Sequence, residues 1–130
     1  MKTCIKYKKN LIKKNELDIL HKFCKLLFKK MPLTKDLQIH LLDKKQEDMT
    51  TGSFNPKIFR IRILFKNRML ADILRTLSHE WAHAYDHEKL KIKDREDIGG
   101  ESEDFANSKS GELTKLFIKK NKKKEKEIFN

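Results

Sequence analysis

The sequence is poor in residues that break or cross-link a chain. It has two prolines, four glycines and two cysteines among 130 residues. Two thiols, Cys4 and Cys24, are too few for the disulfide framework of a small secreted domain, so both are expected to be reduced. No apolar run approaches the ~20 residues of a membrane-spanning helix, and the amino terminus lacks the apolar core of a signal peptide. We therefore expect a cytoplasmic protein with no membrane span.

Acidic residues are scarce outside one segment. The net charge is +12, and residues 1–77 contain nineteen Lys or Arg against seven Asp or Glu. Residues 78–118 reverse this balance, with six basic and ten acidic residues. The basic excess makes nucleic acid a candidate partner, although no aromatic-and-basic cluster or finger-type spacing supports it. A site built from carboxylates is expected in the acidic segment.

Hydrophobic periodicity predicts an α+β fold. Apolar residues at three- and four-residue spacing predict an amphipathic helix over Leu11–Phe28. Alternation predicts two strands of a small sheet, Leu37–Leu42 and Ile58–Phe65. The polar stretch Lys44–Asn55 between them is predicted to be a loop.

The second half of the chain is predicted to be helical. One apolar stripe from Leu70 to Tyr85 indicates a buried central helix, and another helix is expected from about Glu101, with Gly111 as a position where its first part could end. We find no sign of a second domain. The sequence thus predicts one domain, residues 1–118, and a basic, flexible tail, residues 119–130.

The central helix contains the motif HExxH, with His79 and His83 one turn apart. Residues four apart lie on the same face of a helix, so two imidazoles can converge on one tetrahedral ion. Glu80 lies ~100° around the helix, where it can accept a proton from water attacking a peptide carbonyl. The motif predicts a zinc site with Glu80 as general base, although His79 and His83 can also be read as exposed polar residues opposite the apolar stripe.

A catalytic zinc ion needs a third protein ligand and an open position. Glu103 follows on the next predicted helix, with Asn107 one turn later. The carboxylate of Glu103 can bind the metal while the amide of Asn107 holds the second ring nitrogen of a ligating histidine. Glu101 projects to another side, so Glu103 is favoured over Glu101. His87 lies too far along the helix axis, ~12 Å from His79, to complete the site.

At these residues the chain resembles a known group of enzymes. HEWAHAYD followed by EDFAN is similar to the gluzincin zinc peptidases, which combine HExxH with a glutamate on a later helix. The glutamate string resembles those of anthrax lethal-factor-type peptidases and the ImmA/IrrE family, and the length resembles the minigluzincins. The resemblance covers about residues 58–117. It implies a zincin-like fold, a Zn²⁺-dependent endopeptidase, and a substrate that pairs with the strand Ile58–Phe65 as a sheet edge.

Three functions from different classes are consistent with the sequence. The first is a zinc metallopeptidase that cuts peptide or protein substrates. The second is an ImmA-like regulatory peptidase, or a zinc-dependent interaction module, that acts on a single protein partner. The third is a basic nucleic-acid-binding protein in which the HExxH motif is fortuitous.

Overall fold

Four strands of the protein form one mixed sheet. The computed structural model describes residues 1–92 and 100–129 of the chain. Among them β1 (Thr3–Lys6), β2 (Leu37–Leu42), β3 (Gly52–Asn55) and β4 (Arg60–Leu64) lie in the order β1-β2-β4-β3. The first two pairs are parallel, and β3 runs antiparallel to β4. β3 is therefore an edge strand, and β4 lies inside the sheet.

Four α-helices accompany this sheet in the described part of the chain. They are α1 (Lys14–Lys30), α2 (Leu70–Tyr85), α3 (Glu101–Lys120) and α4 (Glu125–Phe129). A π-helical turn, Asp86–Leu90, continues α2, and a 3₁₀ turn, Lys122–Lys124, precedes α4. The predicted α+β class is confirmed. Within residues 1–92 and 100–129 no helix has the length and apolar character needed to cross a membrane.

The sheet has one buried face and one half-exposed face. Alternation along β2 and β4 buries Leu37, Ile39, Leu41, Ile61 and Ile63. These side chains join the apolar stripes of α1, α2 and α3 in one core. The opposite face is mainly polar and basic, as expected for a sheet with one face packed on helices. Its half-exposed residues on these two strands are Gln38, His40, Leu42, Arg60, Arg62 and Leu64.

Hydrogen bonds from two side chains fix α2, the helix that carries the HExxH motif. The indole N–H of buried Trp81 donates to the carbonyl of Met31 at 2.9 Å, which ties α2 to the end of α1. Arg68 donates to the carbonyl of Leu64 at 2.7 Å and to Oγ1 of Thr76 at 2.8 Å. α2 is thus held against both α1 and the end of β4.

The predicted helices and the two predicted strands are present, but the sheet is larger than predicted. β1 was not predicted, and β3 lies within the segment Lys44–Asn55 that was predicted to be a loop. The prediction that Ile58–Phe65 is an edge is wrong, because β3 covers that side of β4. α3 also passes through Gly111 without a break. Cys24 of α1 is buried, and burial raises the pKa of its thiol to about 12.

The segment predicted to be a flexible basic tail is helical and contributes to the core. α3 extends to Lys120, and α4 packs against α2. Ile128 is fully buried, whereas the neighbouring Phe129 is 44% exposed. The charge of residues 119–130 suggested a solvated tail, whereas the side chain of Ile128 joins the hydrophobic core.

Candidate metal centre

The two histidines of the motif face each other across one turn of α2. Their Nε2 atoms are 3.2 Å apart, and their ring centroids are 4.8 Å apart. They can occupy the free face of α2 because the opposite stripe, which includes Leu77 and Trp81, is fully buried in the core. The helix therefore presents both imidazoles to the same small volume, as its sequence predicted.

Glu103 completes a triad with these histidines. Its Oε1 lies 2.9 Å from Nε2 of His83, and its Oε2 lies 3.2 Å from Nε2 of His79. Glu103 sits in the first turn of α3, which follows Gly100 with φ of 72°, a conformation that glycine adopts without strain. His79, His83 and Glu103 form a group that could hold a metal ion, and Glu101 is not part of it.

The ligand atoms of the triad are close enough together to bind one ion. Ligand atoms about 2.0–2.1 Å from a tetrahedral zinc ion are about 3.3 Å from one another. The two Nε2 atoms, 3.2 Å apart, match this value, and each imidazole lies close to a different oxygen of Glu103, at 2.9 and 3.2 Å. With one ligand atom taken from each residue, all three atoms lie within 4.8 Å of one another. Glu103 is 60% exposed, so the site opens to solvent on that side and leaves room for a further ligand.

Glu80 lies beside the triad in an environment that favours its neutral form. Burial, followed by the charge of Glu103, raises the pKa of the Glu80 carboxyl to about 7. A carboxyl group with a pKa near neutrality is suited to accept and return a proton. Glu80 lines the same groove as the triad, and its carboxyl group can change protonation state near neutral pH.

Ser102 and Asp86 form a buried hydrogen-bonded pair next to Nδ1 of His83. Ser102 donates a hydrogen bond from its hydroxyl to Oδ2 of Asp86 at 3.0 Å, and the same Oγ lies 3.5 Å from Nδ1 of His83. Asp86 is 2% exposed and also accepts from the backbone N–H of Ile92. This arrangement can orient the ring of His83.

Asn107, which was predicted to hold a ligating histidine, lies near the site without contacting either ring through a hydrogen bond. In the described part of the chain it makes no hydrogen bond to His79 or His83, and it lines a groove beside His79 and Glu80. The sequence did not single out Ser102, although that residue is next to Glu103. Asp86 could have been found from helical spacing, because it is three residues after His83 on the same helix.

The triad lies where two grooves meet. One has a volume of about 610 Å³ and is lined by Ser53, Phe54 and His87 in addition to the triad. The other, of about 390 Å³, extends toward Arg68 and Arg75. Both grooves include Gly52, His79 and Glu80. Both grooves therefore border β3, and the larger one extends along Ser53 and Phe54 of this strand.

The remaining histidines and Tyr85 are not ligands in this arrangement. His87 is exposed, and its ring lies 6.1 Å from that of Phe54 in the larger groove. Tyr85 stacks on Phe105 with a centroid distance of 6.5 Å. His40 lies on the polar face of the sheet, and His21 lies on α1. Of the described His, Cys, Asp and Glu residues, only His79, His83 and Glu103 form a group suited to a metal.

Comparison with known proteins does not indicate a family or a function for this chain. No family model matches the chain, and neither the curated proteins nor the solved structures give a significant match. The geometry of the triad and its groove is therefore the basis for inferring function.

Proposed function

We propose that this protein is a zinc-dependent metallopeptidase with a zincin-like arrangement of α2, α3 and the sheet. The observation that carries the proposal is the triad of His79, His83 and Glu103, whose ligand atoms lie within 4.8 Å of one another. The two Nε2 atoms, 3.2 Å apart, have the separation expected for ligands of one tetrahedral zinc ion. Two neutral imidazoles and one carboxylate are a ligand set suited to catalytic zinc.

Each residue of the centre has a distinct role in this proposal. His79, His83 and Glu103 would hold the ion, and zinc, when bound, supplies Lewis acidity that polarises a carbonyl and makes water more acidic. Glu80 takes the proton of the attacking water and delivers it to the leaving amine. Asp86 and Ser102 hold His83 in the orientation needed for binding.

The substrate is an extended peptide that pairs with β3. A sheet edge binds such a chain through main-chain hydrogen bonds. β3 is the strand whose outer side faces the groove, and Gly52 brings it close to Glu80: a Cβ on Gly52 would be only 3.3 Å from Cγ of Glu80. A peptide bound along this edge would therefore place its backbone over the triad.

Metal analysis of three proteins tests the metal site. Purified wild type should contain about one zinc ion per chain, Glu103→Ala should lose it, and Glu101→Ala should retain it. Glu101 is a matched control because it is an exposed glutamate of the same helical turn. Absence of zinc from wild type after reconstitution, or equal retention in both variants, would overturn the assigned ligands.

Cleavage of a proteome-derived peptide library tests the reaction. Zinc-loaded wild type should produce new peptide termini, and Glu80→Gln should retain zinc while cleaving at least about 100-fold more slowly. Equal cleavage by wild type and Glu80→Gln would refute the role of Glu80 as base.

A further inference from the structure

The outer edge of β3 exposes main-chain groups at two positions. The N–H of Leu64 donates to the carbonyl of Thr51 at 2.8 Å, so the main chains of this pair face each other within the sheet. In an antiparallel ladder such pairs alternate. The main-chain N–H and C=O of Ser53 therefore point toward Arg62, its partner on β4. Those of Gly52 and Phe54 point away from β4, toward the groove.

Side chains of β3 alternate between the metal centre and the polar face of the sheet. Gly52 is on the inner side, against Thr76 and Glu80. Ser53 is on the other face, where its hydroxyl accepts a hydrogen bond from Nε of Arg62 at 3.0 Å. A peptide paired with β3 continues this alternation, so its residue opposite Ser53 projects onto the polar face.

The guanidinium of Arg62 extends toward this position. It reaches from β4 to the side chain of Ser53, one strand nearer the edge. The next strand would be about 4.8 Å beyond β3, and side chains directly opposite each other have Cβ atoms about 5 Å apart. A long acidic side chain opposite Ser53 can therefore meet the guanidinium.

We propose that Arg62 selects an acidic residue, Asp or Glu, in the bound peptide at the position opposite Ser53. The inference rests on the proposed function, because it assumes a peptide paired with β3. Arginine recognises carboxylates through planar paired hydrogen bonds. The guanidinium of Arg62 is partly exposed on the polar face, where it can bind the carboxylate of this acidic side chain.

Asp48 now occupies part of the position that the incoming carboxylate would take. Its Oδ2 accepts from Nη2 of Arg62 at 2.8 Å, and this hydrogen bond lowers the pKa of the Asp48 carboxyl. The Asp48 side chain is 72% exposed, whereas that of Arg62 is 25% exposed. Ion pairs with so exposed a partner contribute little to stability, so a carboxylate delivered by the peptide can replace Asp48.

Arg60 provides a matched control on the same strand and the same face. Its Nε and Nη2 both donate to Oε1 of Gln38, at 3.1 and 2.9 Å. Gln38 belongs to β2, on the side of β4 away from the groove. Arg60 therefore has the same charge as Arg62 but is directed away from the edge.

A peptide library with fixed Glu, Gln or Lys at each position tests the inference. Zinc-loaded wild type should cleave peptides with Glu at one position about tenfold faster than those with Gln. Arg62→Gln should abolish this preference, Arg60→Gln should retain it, and Arg62→Glu should favour Lys at the same position. Circular dichroism and zinc content establish that each variant is folded and loaded.

Two outcomes overturn the inference while leaving the proposed function intact. These are cleavage by wild type without an acidic preference, and an acidic preference that persists in Arg62→Gln. If wild type cleaves nothing, the proposed function fails, and capture of the same library on zinc-loaded Glu80→Gln tests the inference separately. The inference is supported if Glu80→Gln retains Glu peptides and the double variant Glu80→Gln/Arg62→Gln does not. It is overturned if Glu80→Gln retains Glu and Gln peptides equally.

Discussion

Gly52 of β3 and Thr76 of α2 approach so closely that a Cβ on Gly52 would lie 2.5 Å from Cγ2 of Thr76. Carbon atoms in contact are normally about 3.5–4.0 Å apart. Only glycine at position 52 permits the edge strand to lie this near the helix that carries His79 and Glu80. The close approach of β3 to α2 beside the metal centre therefore depends on this one residue.

Gly52→Ala should destabilise the protein by about 1–3 kcal/mol, because the added methyl group overpacks the contact with Thr76. Urea unfolding measures the change. Thr76→Ser removes Cγ2 but keeps the hydroxyl that accepts from Arg68, so the cost of Gly52→Ala should be smaller in that background. Gly111→Ala is the control: it is helical with open space around it, and it should be neutral or stabilising. An equal cost of Gly52→Ala in both backgrounds would contradict the contact.

Ser102→Ala and Asp86→Asn should each weaken zinc binding by about 10–100-fold, because His83 loses the groups that orient it. Competition with a chromophoric chelator measures the affinity. Ser110→Ala is matched to Ser102→Ala, since Ser110 is a buried serine of the same helix that donates to the carbonyl of Arg75. Equal zinc affinity in Ser102→Ala and Ser110→Ala would show that the hydroxyl of Ser102 has no orienting role.

Glu80 should make the stability of the metal-free protein fall as pH rises. Its pKa is about 7 in the folded protein against an ordinary value of 4.5, so between these values the folded state binds more protons than the unfolded state. The free energy of unfolding therefore decreases as pH increases through this window. Urea unfolding of metal-free wild type and Glu80→Gln from pH 4.5 to 7.5 should show wild type losing stability relative to the variant. A constant difference across this range would contradict the raised pKa.

Ile128→Ala should cost about 2–5 kcal/mol, because it leaves a cavity where α4 docks. Phe129→Ala is the neighbouring control and should change stability by less than about 1 kcal/mol, since Phe129 is substantially exposed. Thermal unfolding of the two variants makes the comparison. Similar midpoints for both would indicate that the carboxyl-terminal residues behave as the tail that their charge suggested.

The parts of the fold that could be predicted from the sequence are those with long, regular patterns. α2 has a continuous apolar stripe from Leu70, and β4 alternates strictly, so local periodicity was sufficient for both. β3 has only four residues, GSFN, without alternation of apolar and polar side chains. Its pairing depends on β4 and on the fit of Gly52 against α2, which are tertiary contacts that no local pattern encodes.

The candidate site divides in the same way. The spacing of His79 and His83 on one helix, and a glutamate at the start of another, indicated the triad from the sequence alone. The contact between Ser102 and Asp86 joins residues 16 positions apart on two helical segments, and its geometry depends on how α3 packs on α2. Asn107 was predicted to contact a histidine because it lies four residues after Glu103 on α3. In the structure the orientation of α3 places it in the neighbouring groove instead.

The hydrogen bond between Trp81 and Met31 gives the protein an internal spectroscopic reporter. Trp81 is the sole tryptophan, is fully buried, and stands between the two histidines in sequence but on the opposite side of α2. Its fluorescence emission follows the packing of α2 against α1 and is separated from solvent and from the groove. Unfolding can thus be followed optically in wild type and variants without a label, while events at the metal centre reach this signal only through movement of α2.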